Sequence, residues 1–302
     1  MKIRYFLTAV LLAVSAVLGF MVYQLEMEKS ARERDQYTKE KLEHCTYELN
    51  VTYAESESGL CTMDVIWDER AGTAPLVVLL HGGAWIGGEK EEVRSMQLAL
   101  AADGYTIANV NYDLAPNVTI VQQEAQIEAA LQYLMDNAAH YKINTSKVVL
   151  AGFSAGAHLA VLTAQLMTEK ESDIKISCCI DICGPTALRY YVQNVDNEVS
   201  QMFLNHPEII GGEESNNVLN EIQRIDPASH VSENMPPVLI VQGAADPIVP
   251  QEISEYFDQV LQEHSVDSDY VVIQGMVHEF DIARLYEPVT TFLIRNLGFR
   301  GK

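Results

Sequence analysis

From residue 43 onward the chain alternates short apolar runs with amphipathic stretches, the pattern of a parallel sheet covered by helices on both faces. Two short strands are predicted first, at 47–54 and 62–68. Apolar runs at 76–82, 105–112, 147–153, 175–183, 237–243 and 269–275 then predict six more, buried on both sides. Helical spacing of apolar positions predicts helices at 118–139, 155–170, 251–264 and 279–296. The interval 185–235 breaks this rhythm. It is polar, rich in Asn and includes IIGGEESNNVLN, so it is expected to lie over the sheet as a small cap insertion.

The amino terminus is a different kind of sequence. Residues 5–23, YFLTAVLLAVSAVLGFMVY, carry no charge and follow Lys2 and Arg4. A helix of that length spans roughly 28 Å, close to the apolar thickness of a bilayer. The run continues past the weak cleavage site Val14-Ser15-Ala16, which favours a membrane helix kept as a signal anchor at 1–25 over a cleaved signal peptide and a secreted protein. Lys29, Arg32 and Arg34 follow the run closely, so basic residues alone do not fix the orientation. Likeness to a signal sequence places the rest of the chain outside the cytoplasm. Residues 26–42 read as a charged linker and 43–302 as the globular domain.

Composition narrows the class. Of 302 residues 48% are hydrophobic, enough for a large core and too many for a disordered chain. The balance of 20 basic against 42 acidic side chains gives a net charge of −22, and no basic cluster is present to neutralise phosphates, so nucleic acid is excluded as a partner. Cys178, Cys179 and Cys183 fall in the apolar run SCCIDICG and read as small hydrophobes of a core strand. Cys45 and Cys61 flank the first strand pair and are candidates for a disulfide in an oxidising compartment. No Cys/His spacing suggests a metal site, and no cofactor is called for.

The chemistry lies at strand ends. Gly152-Phe153-Ser154-Ala155-Gly156 is a G-x-S-x-G that follows an apolar strand and opens a helix, the context that gives this motif meaning. A serine hydroxyl needs a base, and that base needs an acid to orient it. His278, just after the last strand, is the base candidate. Asp246 follows a strand and lies between the serine and the histidine, which makes it the acid candidate over Asp267 and Asp269, which precede a strand. His81-Gly82-Gly83-Ala84-Trp85 follows a strand too, and there the backbone N–H groups of Gly82 and Gly83, with that of Ala155, can hold an oxyanion. Trp85 is a candidate pocket wall. His81 and His158 read as structural side chains.

In this order and spacing HGGAW, NYDLAP, GFSAGAH, GAADPIVP and VHEF resemble the α/β-hydrolase superfamily, and within it the esterases related to hormone-sensitive lipase and the acetyl- and feruloyl-esterase-like carboxylesterases. The resemblance covers about residues 60–298. It implies an eight-stranded, mostly parallel α/β-hydrolase sheet, with Ser154 as nucleophile, His278 as base, Asp246 as acid and Gly82, Gly83 and Ala155 as the oxyanion hole. The sequence departs from the family pattern at Ala84, Asp113 and Glu279, none of them a catalytic position. The expected activity is hydrolysis of short-acyl or carbohydrate-linked esters. An amidase, formamidase or peptidase would use the same residues, and a membrane-tethered binding protein without activity is a further alternative.

Overall fold

The computed structural model describes residues 39–211 and 218–300. The expected anchor at 1–25, and the linker up to residue 38, lie outside the described residues. Among the described residues no helix is long and apolar enough to cross a membrane. The main unit begins at His44, one residue after the expected boundary.

Among the described residues eight strands form one sheet: β1 (Cys45–Thr52), β2 (Thr62–Asp68), β3 (Ala74–Leu80), β4 (Thr106–Val110), β5 (Ile143–Phe153), β6 (Ile176–Ile182), β7 (Val238–Gly243) and β8 (Ser268–Ile273). Their spatial order is β1-β2-β4-β3-β5-β6-β7-β8. The β1–β2 and β2–β4 pairs are antiparallel and all the others parallel. Every residue of β3, β4 and β7 is buried, as expected of strands covered on both faces. The outermost strand β1 is half exposed, and its register shifts between Glu48 and Val51. There Asn50 adopts φ 55 and its N–H donates to Asp64 Oδ1 at 2.8 Å, a bulge of the kind that blunts sheet edges.

Helices α1 (Arg94–Ala102), α2 (Ile120–Asp136), α3 (Ala155–Glu169), α7 (Gln251–Glu263) and α8 (Ile282–Leu297) accompany the sheet. Thr119 and Gln122 form a capping box that starts α2 two residues later than the apolar spacing suggests. Asp281 caps α8, and Gly298 ends it in the left-handed conformation. The sequence did not predict α1. Its RSMQLALAA is only nine residues long, and apolar side chains cover more of it than one stripe. The 185–235 interval does separate β6 from β7, and its described residues are largely helical: α4 (Leu188–Asn194), α5 (Glu198–Asn205) and α6 (Val218–Gln223), with short 3₁₀ turns at Pro207–Ile209 and Pro227–Ser229. Asn197 caps α5 through a second capping box, so its place in an Asn-rich stretch marks a helix start rather than a loop.

The disulfide considered for Cys45 and Cys61 is absent. Cys45 faces Asp68 at one end of the β1–β2 ribbon, whereas Cys61 adjoins the Thr52–Thr62 pair at the other. Seven residues of strand separate them, roughly 23 Å, far beyond the reach of a disulfide.

Candidate active site

Adjacent parallel strands end in step: Leu80 pairs with Gly152, Gly152 with Asp181, Ile182 with Val241 and Gly243 with Ile273. The loops leaving β3, β5, β6, β7 and β8 therefore converge on one edge of the sheet, where α/β folds place ligands.

Ser154 stands between β5 and α3 with φ 53 and ψ −120, a conformation that costs a non-glycine residue on the order of 1–3 kcal/mol. Two contacts hold it there. Its N–H donates to Ile182 O at 2.8 Å, and its carbonyl accepts from His158 N at 3.1 Å in the first turn of α3. The turn also needs strand and helix to touch. A Cβ on Gly152 would fall on the backbone of Gly156, and one on Gly156 would fall on the carbonyls of Leu80 and His81. These are the two glycines that the G-x-S-x-G pattern places around the serine.

His278 Nε2 lies 2.9 Å from Ser154 Oγ, and its Nδ1 donates to Asp246 Oδ2 at 2.7 Å. The other carboxylate oxygen of Asp246 accepts the N–H groups of Ile248 and Val249, both at 2.9 Å. Gln242 Nε2 approaches Oδ2 at 3.3 Å. With all four donors aimed at it, the carboxylate is fixed in direction and fixes the imidazole in turn. Asp267 and Asp269 lie at the opposite end of β8, bound to Arg295 at 3.4 and 2.7 Å. They take no part in this arrangement.

Gly83, Ala84, Trp85, Phe153, Ser154, Pro185, Val199, Ile248, Val249 and His278 line a cavity of about 200 Å³. Gly83 has φ 111, and a Cβ there would strike the backbone of Gly87. Ala84 and Trp85 follow at φ 50 and 63, so three successive left-handed residues fold the loop tightly beside the serine. Gly82 packs against Phe153 and Ser154, where a side chain would crowd both. Ala155 is the first residue of α3, so its N–H has no partner within the helix. The three positions expected to hold an oxyanion thus surround Ser154.

Trp85 both walls the cavity and packs. Its ring meets His158 and Phe203 edge-on, with centroids 5.1 Å away in each case. Its indole N–H donates to His158 Nδ1 at 3.3 Å, while His158 Nε2 donates to Ile225 O at 2.7 Å. His158 therefore joins the loop after β3, the helix after Ser154 and the 185–235 insertion. Reading it as a structural residue in sequence missed this bridging role, because Ile225 lies 67 residues away. Burial pushes its pKa down to about 4, which keeps the ring neutral with Nδ1 free to accept. His81 is also held down to about 4 by burial. It stacks on Tyr112 at 4.4 Å and donates from Nδ1 to Gly82 O, a structural role as expected.

Cys183 is buried beside the end of β6, as expected of the SCCIDICG cysteines. The chain turns there at a φ of 52, and the Cys183 sulfur comes within 4.8 Å of ligand atoms of Asp246 and His278. Before it, wholly buried Asp181 accepts Gly184 N at 2.8 Å and Thr186 Oγ1 at 2.7 Å, which shapes the turn. Burial pushes the Asp181 carboxyl up to about 7.

A model of the BD-FAE family matches residues 63–261. The chain is 25% identical over 217 residues to esterase LipQ of Mycobacterium tuberculosis, which covers 70% of this chain and 51% of that protein. It is 26% identical over 239 residues to kynurenine formamidase of Drosophila melanogaster, covering 78% of this chain and 76% of the relative. The chain spans about half the length of several curated relatives that it matches. Among solved structures, a truncated form of a carbohydrate esterase from gut microbiota superposes with a TM-score of 0.72 at 19% identity, over 84% of this chain and 97% of that one. Such likeness establishes the α/β-hydrolase fold.

Proposed function

The chain belongs to the BD-FAE family, and from that premise we propose that it hydrolyses carboxylic esters through an acyl-enzyme formed on Ser154. The observation that carries this reading is the hydrogen-bonded run from Ser154 through His278 to Asp246 at the mouth of an apolar cavity. Ser154 Oγ attacks the ester carbonyl while His278 Nε2 takes its proton. The Asp246 carboxylate holds the Nδ1 proton and stabilises the imidazolium. Backbone N–H groups of Gly82, Gly83 and Ala155 receive the oxyanion. His278 then protonates the leaving alkoxide, and water repeats the cycle to release the acid. None of these steps calls for a cofactor.

Substrate size follows from the cavity. Its volume of about 200 Å³ is below the roughly 300–1,000 Å³ of clefts that take drug-sized ligands, and its walls are mostly apolar. It suits a short acyl group, with the alcohol part of the ester outside, where a sugar has room. Pro185 and Val199 bring the 185–235 insertion into the wall as the specificity-setting cap. From sequence alone we place the domain outside the cytoplasm, tethered to the membrane by residues 1–25.

Hydrolysis of p-nitrophenyl acetate, butyrate and octanoate by the chain and by Ser154→Ala tests the proposal. Turnover highest on acetate or butyrate, and lower by at least about 10³ in the variant, is expected. Likeness to kynurenine formamidase supports a second reading, cleavage of aryl formamides by the same residues. N-formylaniline in the same assay decides between them. A folded chain inactive on both would point to a binding protein.

A further inference from the structure

Beside the Asp246–His278 pair lies a third donor that ester hydrolysis does not use. Cys183 Sγ, a carboxylate oxygen of Asp246 and a ring nitrogen of His278 all lie within 4.8 Å of one another. Strand ends, not sequence neighbours, bring them together: Cys183 follows β6, Asp246 follows β7 and His278 follows β8. The Cys183 N–H donates to Val241 O at 2.9 Å, which ties the backbone of this turn to β7. Thiolate, imidazole and carboxylate together form a donor set for zinc and its softer relatives. Zinc bonds of about 2.0–2.3 Å put tetrahedral ligand atoms roughly 3.3–3.8 Å apart, so side-chain shifts on the order of 1 Å would close the group around a metal.

We propose that Cys183, Asp246 and His278 form an inhibitory site for zinc-like divalent metals. The proposal rests on the reading of His278 as the base. A metal enters from the His278 side, since that side chain is 15% exposed and Asp246 is wholly covered. It bonds to Sγ, to Asp246 and to Nδ1, with water as the fourth ligand. The thiol proton leaves to solvent, and the imidazole proton moves from Nδ1 to Nε2. No electrons are transferred. The ring then points an N–H at Ser154 Oγ where it had a lone pair, so the serine loses its base although His278 remains beside it. Without metal, burial pushes the Cys183 pKa up, and the sulfur stays a protonated, unreactive thiol.

The test uses the full chain, stripped of metal by chelator and titrated with CoCl2 and then ZnCl2. One cobalt per chain is expected, with a thiolate-to-metal charge-transfer absorption that ZnCl2 abolishes. Ester turnover should fall in step with zinc occupancy and return with EDTA. Cys183→Ser keeps the size and a hydrogen-bond donor, and Cys183→Ala serves as a second variant should the serine fold poorly. Both should lose the absorption and need about 100-fold more ZnCl2 for the same inhibition, at least the cost of disturbing an outer-shell group. Absorption that persists in the variants, or equal inhibition of all three proteins, would overturn the site. If the chain turns over no ester, the absorption and its loss in the variants still decide the metal site, whereas the Ser154→Ala comparison decides the hydrolase reading.

Discussion

Replacing Asp246 by Asn changes one atom and, by the geometry around it, reverses the proton arrangement of His278. Asp246 Oδ1 accepts two backbone N–H groups at 2.9 Å, and Oδ2 accepts His278 Nδ1 at 2.7 Å. An asparagine avoids two donor–donor conflicts only by giving its oxygen to the backbone pair, which leaves its NH2 facing His278. Nδ1 must then accept, so the ring proton moves to Nε2, 2.9 Å from Ser154 Oγ. Returning to the productive tautomer would give up that bond and oppose the two backbone donors, together about 3–6 kcal/mol. Adding the lost stabilisation of the imidazolium, kcat should fall about 10⁴-fold, which is about 5.5 kcal/mol. The fold should survive, because Gln242 Nε2, the other donor near Oδ2, keeps Val249 O at 2.8 Å. The assay is steady-state hydrolysis of p-nitrophenyl acetate, with thermal unfolding as the control. A folded Asp246→Asn whose kcat drops less than about tenfold would refute the orienting role.

Other perturbations test the supports of the site. Gly156→Ala drives a methyl into the carbonyls of Leu80 and His81, and overpacking of about 1–3 kcal/mol should lower the melting temperature by roughly 2–12 °C. An unchanged melting curve would mean that strand and helix are not in contact there. Trp85→Phe removes the donor to His158 Nδ1 and should cost about 1–3 kcal/mol of stability. The smaller ring should also shift preference towards longer acyl chains, as kcat/KM across the ester panel will reveal. For Asp181, burial raises the folded pKa from 3.8 to about 7, so the folded state binds this proton more tightly than the unfolded one. Its contribution to stability is present below about pH 4 and is lost as pH rises towards 7. Asp181→Asn should flatten that decline in urea unfolding, and parallel pH profiles for the two proteins would contradict the assignment.

Much of this architecture was legible in the sequence because burial leaves a mark on composition. Strands β2, β6 and β7 fall within one residue of their expected bounds, and most of their residues are buried. Ser154, Asp246 and His278 were readable for a different reason: each follows an apolar run, and a parallel sheet brings the ends of its strands together. Contacts across the chain left less trace. Nothing local distinguishes Cys183 from Cys179: both are buried, yet only Cys183 lies beside Asp246 and His278. The His158 link to Ile225 O uses a backbone carbonyl, which no residue type announces. The extra length of β5 was hidden because residues 144–146, NTS, are polar, and the pairing with β3 shifts register there.

That use of carbonyls bears on how the protein can change over time. The insertion is tied down at Ile225 O by His158 and at Pro227 O by Gln165 Nε2, at 2.7 and 2.9 Å, and both anchoring side chains belong to α3. Every residue type supplies a carbonyl, so substitutions in the insertion leave these moorings intact so long as the backbone path holds. Mutation can therefore rewrite Val199 and its neighbours at the cavity wall and retune which esters fit, while the scaffold that carries Ser154 registers no change. Random libraries restricted to 185–235 should accordingly yield many folded proteins of altered selectivity, and libraries restricted to α3 should yield few.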